Sequence, residues 1–216
     1  MKKTTLMPFL LLIKKVTFII FLFFVVAGTS PLYAAENLWQ LKTTKDGITV
    51  YTRKVDGSEI LEFKATMTVD APLNKIVSLF EDTKELSSWY YQCTHSELIK
   101  DEGPQDKIIY IVLHLPWPVT ERDSYFRQTK SIDAKDSSVN YSILALPDYL
   151  PAKNGKVRVL MINSHWRFTP LPDGKTEIYF QQHSNPGGSI PSFLVNALAV
   201  DTPLNSLKNF CRLLSD

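Results

Sequence analysis

What this chain lacks narrows its chemistry first. It has no Gly-x-Ser-x-Gly elbow, no His-Glu-x-x-His, no Cys-x-x-Cys and no glycine-rich phosphate loop. The compact motifs of esterases, zinc proteases, dithiol oxidoreductases and phosphate-binding folds are thereby excluded. Glycine is scarce, eight residues in 216, and no Gly/Ser linker, internal repeat or low-complexity tract divides the chain. That is the pattern of one domain. The four histidines, His95, His114, His165 and His183, have no metal-ligand spacing, so neither a metal nor another cofactor is expected. Two cysteines, Cys93 and Cys211, lie far apart, and either a disulfide or two separately packed thiols fits an exported protein.

What is present begins with a leader. Lys2, Lys3, Lys14 and Lys15 precede an uncharged run from Val16 to Val26, and small residues then lead to Tyr33-Ala34-Ala35. Residues 1–34 are expected to be a signal peptide cut near Ala34, which places the remainder, 35–216, in the periplasm or outside the cell. The apolar run is shorter than the roughly 20 residues of a comfortable membrane span. Leu32 is bulky for its place before the cut, and an uncleaved N-terminal anchor is the alternative. Without the leader, 20 basic residues face 22 acidic ones, because the leader carries four lysines and no acid. A nearly neutral chain of this kind does not suit a nucleic-acid partner.

The mature part reads as α+β. Asn37 to Leu41 is expected as a helical lead-in; Gly47 to Arg53 and Leu61 to Val69 alternate as half-buried strands. Asp70-Ala71-Pro72 opens a helix whose face carries Ile76, Val77, Leu79 and Phe80, with Trp89 closing the segment. Further strands are predicted at 97–100, 107–115, 123–131, 138–145, 156–169 and 176–182, separated by polar turns that favour antiparallel neighbours. Asn185-Pro186-Gly187-Gly188 then ends the strands. Ser189 is positioned as a helix cap and Pro191 in a first turn. From there Ile190, Phe193, Leu194, Ala197, Val200, Leu204, Leu207, Phe210 and Leu214 recur at steps of three and four. Such a helix needs a cover, and a sheet curved round it supplies one while leaving room for a cavity. Pro203 is expected to kink or split this helix.

Candidate site residues follow from that picture. Ile108 to Leu115 is apolar on both faces, as in a strand covered on both sides. Tyr110, Val112 and His114 are candidates to line a cavity, with burial in ordinary core as the competing reading. His114 is the polar member, fit either to orient a ligand head group or to bond backbone in the core. Phe193 and Ala197 would face the sheet from the helix. Arg167 is a candidate buried charge, with Glu177 on the following strand as its partner. The loop Leu146 to Ala152 carries Tyr149 and Leu150 where solvated loops are normally polar.

The order Trp39, Asp46 to Arg53, a helix ending near Trp89, Pro116-Trp117-Pro118-Val119-Thr120-Glu121-Arg122-Asp123, then Asn185 to Pro191 and a final helix resembles the START family of lipid-transfer domains, in an exported bacterial form. The resemblance spans about Leu38 to Ser215. It implies a helix-grip fold, a curved antiparallel sheet wrapped around the long C-terminal helix and enclosing a hydrophobic cavity for one sterol, phospholipid or similar molecule. It further implies a lid built from that helix and a loop, here matched to 146–152 with Tyr149 and Leu150. For Arg122 and Asp123 it implies mainly a structural role, with ligand contact by Arg122 as the second possibility. Sterol-binding relatives carry an acid near the positions of His114 to Pro116, and none stands there. The expected activity is non-covalent lipid binding, possibly with transfer between membranes through transient membrane contact, by a monomer and not by an enzyme. The alternatives are a helix-grip cyclase or hydrolase using His114 or His165 against a carboxylate, and a ligand-sensing adaptor.

Overall fold

The computed structural model describes residues 38–215, so the expected leader and its cleavage site lie outside the described residues. The strands are β1 Gln40–Lys45, β2 Ile48–Val55, β3 Ser58–Val69, β4 Cys93–Asp101, β5 Asp106–Leu113, β6 Arg122–Ile132, β7 Val139–Ala145, β8 Val157–Arg158, β9 Met161–Pro170 and β10 Thr176–Asn185. Helix α1 is Leu73–Glu81, α2 is Leu86–Trp89 and α3 is Ser192–Ser215. The strands form one curved sheet ordered β1-β2-β3-β10-β9-β7-β6-β5-β4, antiparallel throughout except that β8 pairs with β6 in parallel. The fold is the one expected, a sheet gripping a C-terminal helix.

The core lies between the inner face of this sheet and the helices. Ile76 and Phe80, four apart on α1, point into it, and Phe80 touches Trp89, Tyr141, Trp166 and Phe168 with ring centroids between 4.6 and 5.7 Å. Trp166 stacks on Phe180 across β9 and β10 at 3.7 Å. Phe210 of α3 meets Trp89 edge-on at 5.0 Å. Aromatic contacts of this kind add to area burial, and each large ring already contributes several kcal/mol (about 3–5 on truncation).

Four local expectations are corrected. In the described part of the expected lead-in, 38–41, there is no helix: residues from Gln40 onward form edge strand β1, paired with β2. Its side chains are mostly exposed, so no burial period marks it. It is held instead by Trp39, which lies under Arg53 and Lys64 at 4.5 and 4.7 Å. The segment 156–169 is not one strand. Val157–Arg158 joins β6, the Val159 N–H is taken by the Asp123 carbonyl and that of Leu160 by Asn185, so the chain turns away before β9 begins. Helix α3 starts at Ser192 after a turn in which Gly187 and Gly188 have φ of 69° and 67°, and Ser189 does not cap it. Pro203 lies inside α3 without dividing it. It is buried, and packing of the helix offsets the lost backbone bond.

Candidate functional site

The site begins where two strands part. β3 and β10 are paired from Val69↔Thr176 to Phe63↔Gln182, after which His183, Ser184 and Asn185 pair with β9 alone. The start of β3 is left without a neighbour on that side, and the backbone groups of the free edge need partners. Asn196 of α3 supplies them: its Oδ1 accepts from the Leu61 N–H at 2.8 Å and its Nδ2 donates to the Glu59 carbonyl at 3.0 Å. A side-chain amide thus replaces a strand, and the helix bridges the gap without filling it.

Beneath this bridge is a cavity of about 370 Å³. Its walls are Leu61 and Phe63 of β3, Leu113 at the end of β5, Leu115 to Val119 in the β5–β6 loop, Gln182 and Ser184 of β10, Ile190 before α3, and Leu194, Ala197 and Leu198 in its first half. At its floor the Tyr90 hydroxyl donates to Gln182 Oε1 at 3.2 Å. Burial pushes the Tyr90 phenol up to about 12 despite the opposing Gln182 bond, so it remains a neutral donor. Both residues also line a smaller space of about 40 Å³ among Phe80, Trp89, Ile111 and Trp166. The rim is apolar and wet. Trp117 is 92% exposed and Phe193, on the first turn of α3, is 69% exposed.

Gly187 is where the rim needs glycine. A Cβ there would lie 2.5 Å from the Arg158 carbonyl oxygen, and its N–H is held by Asn185 Oδ1 at 3.0 Å. Arg122 reaches across beneath it, donating through Nη2 to the Gly187 carbonyl at 3.2 Å and through Nη1 to the Thr120 carbonyl. Arg122 is 3% exposed, lines the cavity, and its Nε has no partner among the described residues.

Of the residues expected at the site, Arg122 and Ala197 line the cavity. Tyr110, Val112 and His114 do not. On β5 the inner face is the other one, carrying Ile109, Ile111 and Leu113, because the side chains alternate. Tyr110 and Val112 pack outward against Tyr125, Ile99 and Leu146. His114 lies past the end of β5 with a side chain 64% exposed, 3.5 Å from Glu121. Phe193 sits at the rim rather than inside. Arg167 is on the outer face of β9, bonded to Asp136 of the β6–β7 turn and not to Glu177; the alternation that buries Trp166 and Phe168 turns it outward. His165 shares that outer face, near the Tyr179 ring.

The loop with Tyr149 and Leu150 is not a wall of the cavity either. Arg158 clamps it, donating to the carbonyls of Pro147, Leu150 and Pro151 while forming a two-point pair with Asp123 at 2.9 and 3.0 Å. Tyr149 packs on Tyr125, and Tyr125 on Tyr110, over the outer side of the sheet. The cavity-side loop is 115–119 instead. The cysteines are separate free thiols, Cys93 bonded to the His95 carbonyl and Cys211 beside Met67. Burial raises both to about 11.

Comparison with known proteins follows the same lines. An uncharacterised Pseudomonas aeruginosa protein is 37% identical over 185 residues, 86% of this chain and 89% of its own length. Human phosphatidylcholine transfer protein is 25% identical over 179 residues, covering 81% and 82%. Among solved structures, a STAR-related lipid transfer protein from Xanthomonas axonopodis matches with a TM-score of 0.77 at 34% identity, over 82% of this chain and 99% of that one. Human StAR-related lipid transfer protein 5 has a TM-score of 0.75 at 14% identity over 94% and 96%, a likeness of fold alone. The START domain profile matches residues 29–215, and with the gripped helix, the parted strands and the cavity between them, this chain belongs to the START domain family.

Proposed function

We propose that the protein binds one lipid or similar hydrophobic molecule non-covalently in the cavity under the first half of α3 and passes it to or from a membrane through the rim at Trp117 and Phe193. The observation that carries this reading is the apolar space of about 370 Å³, within the usual size of small-molecule sites, opening beside an aromatic residue with almost no protein cover. Each methylene moved from water into such a space gains about 0.8 kcal/mol, so burial alone drives uptake. The Trp117 and Phe193 rings would sit at a membrane interface, where one face is apolar and the edge is wet. Support also comes from the names of the relatives, lipid transfer proteins among them. Exchange would depend on the 115–119 loop and the start of α3 moving apart.

The reading is non-catalytic. His114 and His165, on which a hydrolase or cyclase reaction would depend, lie off the cavity. Export by the 1–34 leader would place this exchange in the periplasm or outside the cell; a mature N-terminus at or near Ala35 checks that part. The test of function is uptake of a fluorescent lipid from donor vesicles and its delivery to acceptors. Saturable binding of one lipid per protein with accelerated transfer is expected, and no binding to any long-chain lipid would reject the reading.

A further inference from the structure

A guanidinium cannot shed its charge in a protein, and one taken out of water is costly without a counter-charge. Arg122 is only 3% exposed and has two backbone carbonyls for company, those of Thr120 and Gly187, while Nε bonds to nothing among the described residues. The neighbouring acids are engaged elsewhere. Asp123, next along β6, points to the opposite face and holds Arg158, the Lys153 N–H and the Tyr110 hydroxyl. Glu121 holds Lys156 and lies 3.5 Å from His114. Asp201, across the cavity on α3, is exposed and makes no ion pair with Arg122 among the described residues. The remaining open space beside the guanidinium is the cavity.

We propose that the missing counter-charge belongs to the ligand: the cavity takes an amphiphile with an anionic head, a carboxylate or phosphate, whose oxygens bond Arg122 while the apolar part fills the space toward Phe63 and Leu113. This deepens the lipid-binding reading and rests on it. The two carbonyls that Arg122 now holds are on the 115–121 segment and on the turn before α3, the two flanks of the mouth. A head group that engages Arg122 competes for the donors that tie those flanks, so loading and loosening of the mouth are coupled at one side chain. Arginine suits this because its planar fork can serve several oxygens at once.

The experiment compares three probes at pH 7 and low salt: a fluorescent long-chain fatty acid, the alcohol of the same chain, and inorganic phosphate as competitor. The wild-type protein should bind the acid at least tenfold more tightly than the alcohol. In Arg122→Gln that ratio should fall toward one, and in Arg122→Lys it should be intermediate. Phosphate at millimolar concentration should displace the acid weakly and leave the alcohol in place. Equal wild-type affinity for acid and alcohol overturns the proposal, whether or not the variants fold; so does an unchanged ratio in Arg122→Gln, which makes Arg122 a clasp for the two flanks only. Tight phosphate binding that excludes the acid overturns it in favour of a free-anion site. Binding of neither acid nor alcohol rejects the lipid cavity itself.

Discussion

The two halves of α3 are built for different work. From Pro203 onward the helix is sealed: Ser206, Leu207, Phe210 and Leu214 are buried, the Ser206 hydroxyl oxygen accepts from the Tyr91 N–H at 3.0 Å, Asn209 donates to the Trp89 carbonyl, and Lys75 donates to the Leu214 carbonyl at 2.6 Å. Before Pro203 the helix has Phe193, Leu194 and Ala197 exposed and one polar anchor, Asn196. The same stripe of apolar residues therefore does two things. Where a sheet covers it, it is core; where β3 and β10 have parted, it roofs a cavity. Local opening is drawn from weakly packed segments, so the first half is the part expected to move.

The largest effect that divides the halves is Phe210→Ala. It removes a fully buried ring packed on Trp89 and should cost about 3–5 kcal/mol, read as a shift of the urea midpoint. Leu194→Ala, sixteen residues earlier on the same stripe, should change that midpoint by less than about 1 kcal/mol, since its side chain meets the cavity instead of core. Equal losses at both positions would mean the cavity closes into core in solution.

A second pair of regions sharpens the point. The loops 115–119 and 146–152 both carry apolar side chains, but the second is clamped by Arg158 and Asp123. Burial acts most strongly on Asp123 and pushes its carboxyl upward; the Arg158 bonds and the Lys153 N–H more than offset this and hold it below the ordinary carboxylate range. A depressed carboxylate contributes stability that is present above its unfolded value, about 3.9, and is lost as pH falls through the folded value. Asp123→Asn should therefore cost about 3 kcal/mol at pH 7, as breaking a buried pair does, and the gap to wild type should narrow below about pH 4. Urea midpoints between pH 3 and 7 check this. A gap independent of pH would assign the loss to packing.

Asn196→Ala tests the single anchor of the moving half. Losing two bonds to the free edge of β3 should cost about 1–2 kcal/mol and speed release of bound lipid several-fold, seen in stopped-flow dequenching. A slower release would show that Asn196 does not hold the roof shut. Ala197→Phe should change stability by less than about 1 kcal/mol, unlike overpacking a filled core, yet reduce lipid uptake at least tenfold.

The sequence announced the fold better than the site, and for definite reasons. Alternation, turn residues and the helical stripe report burial, and burial sets the architecture. They do not report what lies on the far side. Ile108 to Leu113 is apolar on both faces because the inner one meets core and cavity while the outer one is covered by the 146–153 segment, so the choice of Tyr110 and Val112 had no parity signal to correct it. Arg122 and Asp123 are adjacent, but adjacency on a strand puts them on opposite faces with different partners. Asn196 was invisible, since its bonds span 135 and 137 residues and leave no periodic trace. Trp117 left one clue. A tryptophan between two prolines cannot join a sheet, and so must pack in a loop or stay wet.

That clue sets the smallest expected change in stability. With 92% of its surface exposed, Trp117 contributes almost nothing to the folded state, and Trp117→Ala should leave the melting temperature within the range of ordinary surface substitutions, about 0.5 kcal/mol either way. Its effect should appear only in the presence of a membrane. Affinity for a short-chain lipid presented free in solution should change little, because the rest of the cavity wall is intact, whereas transfer between vesicles should slow several-fold as the rim loses its interfacial ring. Phe193→Ala should act in the same direction, and the double variant should be slower than either. If transfer from vesicles and binding from solution fall together, Trp117 acts on the ligand through the cavity wall and not on the membrane. If neither changes, lipid enters by another route, and the flanks tied by Arg122 are not the mouth.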